Sequence, residues 1–276
     1  MRYDLASKAI GLRTFTPMKT PEIRTVNVTR YVTPLREGGS LPAIVEADDD
    51  FPYVLKFRGA GQGTKALVAE LICGELARAI GLRVPELVLM ELDNSFAQTE
   101  PDEEIQDLLR FSVGLNLGLH YLSGAITYDP LVSVAEPLEA SKVVLLDSII
   151  TNIDRTHRNT NLLNWKKELW LIDHGAALYF HHSWKGWEAS AARTFPMIKD
   201  HVLLAKASQL TEATAVMKEA LTPDFVSAVV DLVPDTFLTE EGNPVSPAEK
   251  RAVYKTYLNT RIANLEALRK EAEDAR

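Results

Sequence analysis

The stretch that most limits what this chain can fold into is residues 151 to 178, TNIDRTHRNTNLLNWKKELWLIDHGAAL. NLLNW and ELWLID read as two strands with the polar turn KKE between them. If Asn164 pairs opposite Leu169, antiparallel register sets residue 160 opposite 173 and 159 opposite 174. Asn159 and Asp173 then arrive side by side at one end of the hairpin. Asp154 sits on the loop just ahead of them.

Phosphoryl transfer from ATP needs such a collection. One carboxylate orients the acceptor hydroxyl and takes its proton, while an Asp and an Asn ligate the Mg²⁺ that bridges the phosphates. Arg155 and Arg158 are placed to offset phosphate charge. Upstream, Lys56 lies inside an apolar strand, where an unpaired ammonium is costly to desolvate. Glu70, on the following helix, is its natural partner, and the pair would hold phosphates. Glu75 lies about 140° farther round that helix and is expected to face solvent. Gly38, Gly39 and Ser40 join the first two strands and would let backbone amides approach a phosphate closely.

Along the chain, residues 1 to 22 have mixed polarity and read as a flexible leader. From Ile23 the pattern is strand-like: IRTVNVTRYV, LPAIVEA and FPYVLKFR. Lys65 to Ile80 shows apolar residues at helical spacing, with Gly81 as its stop. VPELVLMEL is a further strand, giving β-β-β-α-β. Residues 93 to 107 are acidic and turn-rich, a surface connection. The rest is predominantly helical, including an apolar-faced helix from Ala135 to Thr151. These patterns predict an α+β chain with a β-rich part at 23–92 and a mostly helical part at 93–276.

Composition narrows the function classes. A net charge of −8 disfavours a nucleic-acid or anionic-membrane partner. Cys73 is the only cysteine, so no internal disulfide can form, and its apolar setting predicts a buried small hydrophobe. No apolar run has the length of a membrane span and no secretory signal opens the chain, so a cytoplasmic location is expected. GAGQGTK is no Walker loop, since Thr64 separates Gly63 from Lys65. His174, His181 and His182 lack zinc-ligand spacing. Trp184 and Trp187 either anchor their loop or join an acceptor site.

The runs NIDRTHRNTNLL and LWLIDHGAAL, with REGGS, YVLKF and AELICGELARAIGLRVPE, resemble HipA-like kinases, in particular a short branch without the family's N-terminal domain. More distantly the layout is similar to lipid kinases and antibiotic phosphotransferases. The resemblance covers about residues 25 to 200. It implies a bilobed protein-kinase-like fold and use of ATP and Mg²⁺. Asp154 would be the catalytic base, Asn159 and Asp173 the metal ligands, Lys56 and Glu70 the phosphate-anchoring pair, and Glu91 and Leu92 the adenine-side hinge. A protein serine or threonine is the leading acceptor. A small molecule or lipid head group is the alternative, and a nucleotide-binding pseudokinase is the non-enzymatic one. An antitoxin-like regulatory partner is a further expectation, as are Ser40, Ser112 and Thr194 as self-phosphorylation sites. The chain departs from the family pattern in having His157 three residues after Asp154, where a His two residues on is usual. Asp173-His174-Gly175 also replaces the usual Asp-Phe-Gly.

Overall fold

A computed structural model describes residues 21–35 and 41–276. Its elements are β1 (Thr25–Pro34), β2 (Ala43–Ala47), β3 (Pro52–Lys56), α1 (Gly63–Ala79), β4 (Leu87–Leu92), α2 (Ser95–Thr99), α3 (Glu103–Phe111), β5 (Gly114–His120) and β6 (Ile126–Thr127). There follow α4 (Pro137–Ile150), β7 (Leu162–Trp165), β8 (Glu168–Leu171), α5 (Trp187–Ala192), α6 (Leu210–Ala220), α7 (Pro223–Asp231), α8 (Asp235–Leu238), α9 (Pro247–Ala263) and α10 (Leu265–Ala275).

The first five strands close a barrel in the order β1-β2-β3-β5-β4. Alternation along each strand sorts its side chains. Tyr53 and Leu55 of β3 join Val88, Met90 and Leu92 of β4 in the cluster that fills the barrel. Val54 instead packs toward the second, larger core, to which Leu87, Leu89, Leu117 and Leu119 belong. Lys56 follows Val54 on that second face, so β3 presents its only cation away from the barrel interior.

β5 departs from the sequence expectation. It lies beyond Leu92 yet pairs both β3 and β4, so the strand-rich part of the chain runs to His120 rather than stopping at Leu92. Residues 93 to 107 also differ from a plain surface connection. The carboxylate of Asp102 accepts from the amides of Glu104 and Ile105 and starts α3, as helix N-caps do. Ile105 and Leu109 of α3 bury against the barrel cluster.

α4 is the centre of the helical part. Pro137 opens it, and Thr151 closes it in a left-handed conformation with φ 54°. Its residues from Val143 to Ile150 are all buried, so it is enclosed on every side rather than apolar on one face. Arg261, fully buried on α9, donates to the carbonyls of Ser148 and Ile149, satisfying acceptors that a helix end leaves without partners. No helix among the described residues is long and apolar enough to cross a membrane.

Candidate active site

β3 ends on Lys56, and its ammonium is held by two carboxylates. Nζ lies 2.7 Å from Glu70 Oε2 on α1 and 2.7 Å from Asp173 Oδ1. Glu70 is wholly buried, and such a charge persists only with donors around it. Among the described residues it has three: Lys56, the backbone N–H of His174 at 2.7 Å, and His174 Nδ1 at 3.3 Å. Burial alone would push the Glu70 carboxyl up, but the Lys56 ammonium and then His174 outweigh it and hold it well below the usual range. Burial would likewise lower Lys56, yet Glu70 and Asp173 keep it above the ordinary lysine value. Glu75 does not face open solvent. Its side chain is mostly covered and pairs with Arg78.

The hairpin β7–β8 has the register expected of it, with Asn164 opposite Leu169. Its turn is the pair Lys166–Lys167, both left-handed, the hand that matches strand twist in tight hairpins. The pairing extends past the strands through the Ile172 N–H donating to the Asn161 carbonyl. Asp173 follows with φ 55°. Gly175 faces α1, where a Cβ would sit 3.5 Å from Ala66 Cβ, an ordinary contact distance.

Asp154 sits on the loop between α4 and β7. Its Oδ2 accepts from the side-chain amides of Asn159 at 2.8 Å and Asn161 at 3.0 Å. Oδ1 has no hydrogen bond among the described residues. Asn161 is not among the expected site residues, though its place two residues after Asn159 on the Asp154 loop is a signal for it.

Arg155 corrects a sequence expectation. It does not face a phosphate: it is buried, and its Nε donates to Asp147 Oδ2 of α4 at 2.6 Å. Nη1 donates to the carbonyls of Asn161 and Ile172. Arg155 therefore ties the Asp154 loop to the strand that delivers Asp173. Asp147 also meets His201 Nε2 at 3.0 Å and the Asn152 amide at 3.2 Å. Burial would raise the Asp147 carboxyl, but Arg155 and His201 bring it down to about 2. Arg158, in contrast, is exposed and makes no ion pair among the described residues.

Some of these groups line a cleft of about 1300 Å³, namely Lys56, Asp173, Asn159, Asn161 and Arg158, with Val54, Leu119, His120, Tyr121 and Leu122, whereas Asp154 and Glu70 do not line it. Glu91 and Leu92 do not line it. Antiparallel pairing sets Leu87 opposite Leu119 but Leu92 opposite Gly114, so Leu92 is at the far end of the sheet, inside the barrel. The chain leaves the barrel along the cleft at His120–Leu122 instead. Gly38, Gly39 and Ser40 lie outside the described residues, as do residues 1 to 20 of the leader. Thr33, Pro34, Leu35 and Pro42, on either side of residues 36–40, line the cleft.

Other expected residues settle into the framework. Cys73 is buried. Ser112 is buried and accepts from the Gly59 N–H, so it offers no accessible hydroxyl, whereas Thr194 is exposed. Trp184 packs edge-on against Phe180 and Tyr254, and neither it nor Trp187 lines the cleft, which fits loop anchors. His181 is buried against the Tyr254 hydroxyl at 2.8 Å.

Among the described residues no group of three His, Cys, Asp or Glu side chains is arranged to hold a metal by itself. Mg²⁺ does not require one, since it binds through one or two protein oxygens, phosphates and water. Asp173 Oδ2 and Asn159 Oδ1 are hard oxygens with no hydrogen bond among the described residues, and the Asp173 side chain is 48% exposed. That donor set fits a phosphate-bound Mg²⁺.

No curated protein matches the sequence. Among solved structures, the chain resembles the Helicobacter pylori proinflammatory kinase CtkA, with TM-score 0.57 and 12% identity over 92% of this chain and 99% of that one. The Golgi casein kinase aligns at TM-score 0.47 and 13% identity over 92% of this chain and 73% of that one. Its Mn/ADP-bound structure aligns at 0.48 and 12% over the same shares. At these identities the likeness to CtkA speaks for an α+β, kinase-like fold. The sequence itself carries the family: the model of the HipA-like kinases matches residues 28–263. A match from β1 to the end of α9, over a kinase-like fold, makes this chain a member of the HipA-like kinase family and a phosphotransferase.

Proposed function

We propose that this kinase transfers the γ-phosphoryl group of ATP, with Mg²⁺, to a serine or threonine hydroxyl of a protein. In this reading the barrel and the helical part are two lobes, and the nucleotide lies in the cleft between them. The observation that carries it is the double hold on Lys56, 2.7 Å from both Glu70 and Asp173, in the cleft that Asn159 also lines. An ammonium so fixed is aimed at triphosphate oxygens. Asp173 and Asn159 would hold Mg²⁺, which when bound neutralises charge on the transferring group. Asp154, oriented by two amides on Oδ2, keeps Oδ1 for the acceptor hydroxyl. Backbone groups of His120 to Leu122 take the adenine-side role first expected of Glu91 and Leu92. The protein acceptor follows from the family resemblance.

The test is incubation with γ-labelled ATP and Mg²⁺ against dephosphorylated protein mixtures, metabolites and lipids in parallel. Label on serine or threonine of a protein is the expected result. Label confined to a metabolite or lipid would replace the acceptor class. No labelling, together with no thermal stabilisation by ATP and Mg²⁺, would overturn the reading.

A further inference from the structure

His174 stands where a phenylalanine is usual, and its ring is fully buried. A phenyl ring would fill that space without polar atoms. The imidazole brings two nitrogens, and Nε2 is buried with no hydrogen-bond partner among the described residues. Nδ1 is the exception, 3.3 Å from Glu70 Oε1. A nitrogen facing a carboxylate oxygen carries the hydrogen, so the ring donates to Glu70. Residue 174 thus contacts both oxygens of one carboxylate, by its backbone N–H on Oε2 and its ring on Oε1.

The contact sits at a junction. Ala66 and Glu70 are one helical turn apart on the same face of α1. A Cβ built on Gly175 would sit in ordinary contact with Ala66, and Glu70 meets His174. The segment carrying Asp173 is therefore docked along one stripe of α1. Lys56 bonds Glu70 and Asp173 together, so a partner that draws Asp173 away removes one hold on Lys56 and leaves Glu70 as its anchor.

We propose that the His174 ring is a positioning residue: its Nδ1–H fixes Glu70, and through it the orientation of α1 and the aim of Lys56 into the cleft. The role in ATP use rests on the kinase reading; the anchoring of α1 does not. The isosteric variants separate the ring nitrogen from mere bulk. Asn places its amide nitrogen near the Nδ1 position, Gln near the Nε2 position, and Phe keeps volume with no donor.

The experiment compares His174→Asn, His174→Gln and His174→Phe. It measures hydrogen exchange of α1 amides without nucleotide, KM for ATP, and KM for a fixed protein acceptor. Expected are near wild-type values for His174→Asn. The Gln and Phe variants should show faster exchange around residues 66–74 and a KM for ATP raised about ten- to hundredfold, the scale of a lost hydrogen bond to a charge. The acceptor KM should not change. In a Glu70→Gln background the Phe substitution should add little. Wild-type exchange in both the Gln and Phe variants would overturn the proposal. So would a Phe effect that adds in full to that of Glu70→Gln. Should wild-type protein neither bind nor use ATP, the kinase reading falls, and the exchange data still decide whether His174 anchors α1. If His174→Phe does not fold, the Asn and Gln pair carries the comparison.

Discussion

The side-chain amide of Asn159 donates to Asp154 Oδ2 across 2.8 Å, so the two residues form one hydrogen-bonded unit before any ligand enters. Asn161 holds the same oxygen from the other strand-side position. The carboxylate is thereby fixed through Oδ2 while Oδ1 has no hydrogen bond among the described residues, the arrangement that the proposed role of base requires.

Asp154→Asn preserves the shape of this unit and removes its basicity. Phosphoryl transfer is expected to fall by about 10²- to 10⁴-fold, the range for loss of a general base. Thermal stabilisation by ATP and Mg²⁺ should persist, because the groups assigned to phosphate and metal are untouched. Initial rates with labelled ATP and melting curves check both halves. A variant turning over at a tenth of the wild-type rate or better would remove Asp154 from the role of base.

Lys56→Met leaves the Glu70 carboxylate wholly buried with only the His174 donors. Breaking a buried pair from one side costs on the order of 3 kcal/mol, so the urea midpoint should drop along with ATP-dependent activity. Lys56→Met with Glu70→Gln removes the stranded charge and should recover much of the midpoint but none of the activity. Equal midpoints for the single and double variants would show that Glu70 is not held by Lys56.

Why some of this was legible in the sequence and some was not has physical reasons. The hairpin could be read because alternation and a polar turn fix its register, and the register alone brings Asn159 and Asp173 to one end. Lys56 and Glu70 could be read because a cation inside an apolar strand demands a partner. β5 could not. Its apolar residues are leucines with no β-branched residue among them, and Gly114, Asn116 and Gly118 alternate with them, though Gly118 and Asn116 have reasons in three dimensions. A Cβ on Gly118 would collide with the Met90 side chain, and Asn116 bonds Ser112, Gly114 and Arg58 at the barrel's end. Without β5, the last strand of the barrel reads as ending at Leu92, which puts Glu91 and Leu92 at the expected hinge although neither lines the cleft. Arg155 misled for a different cause, since spacing does not tell a buried guanidinium from an exposed one. Its partner Asp147, an acid inside the buried run from Val143 to Ile150 of α4, is the corresponding signal.

Arg155 and Arg158 flank the same loop and should separate cleanly. Arg155→Ala strands the buried Asp147 charge, a loss of about 3 to 5 kcal/mol. Arg158→Ala removes an exposed side chain and should stay within about 0.5 kcal/mol of wild type. Urea unfolding of the two variants makes the comparison. Similar midpoints would mean that Arg155 does not brace the fold.

Stability should fall with acid before the carboxylates titrate, and His181 is a source of that slope. Burial first, then His182 and Lys65, lower its pKa from 6.5 to about 3, and burial lowers His201 despite Asp147. Each protonates at a lower pH in the folded protein than the 6.5 of the unfolded chain, so below that pH the unfolded chain binds more protons. The stability they contribute is present above 6.5 and is lost as pH falls toward the folded values, by up to about 1.4 kcal/mol per pH unit for each group. Between pH 6 and 4.5 the buried acids Glu70 and Asp147, both lowered, stay ionised in the folded protein and add little. His181→Asn places an amide nitrogen near Nδ1, facing the Tyr254 hydroxyl, and cannot titrate. Its unfolding free energy should therefore carry a constant offset and a slope shallower by about one proton over that window. Parallel slopes for wild type and variant would mean that His181 takes up its proton in the folded state as readily as in the unfolded one.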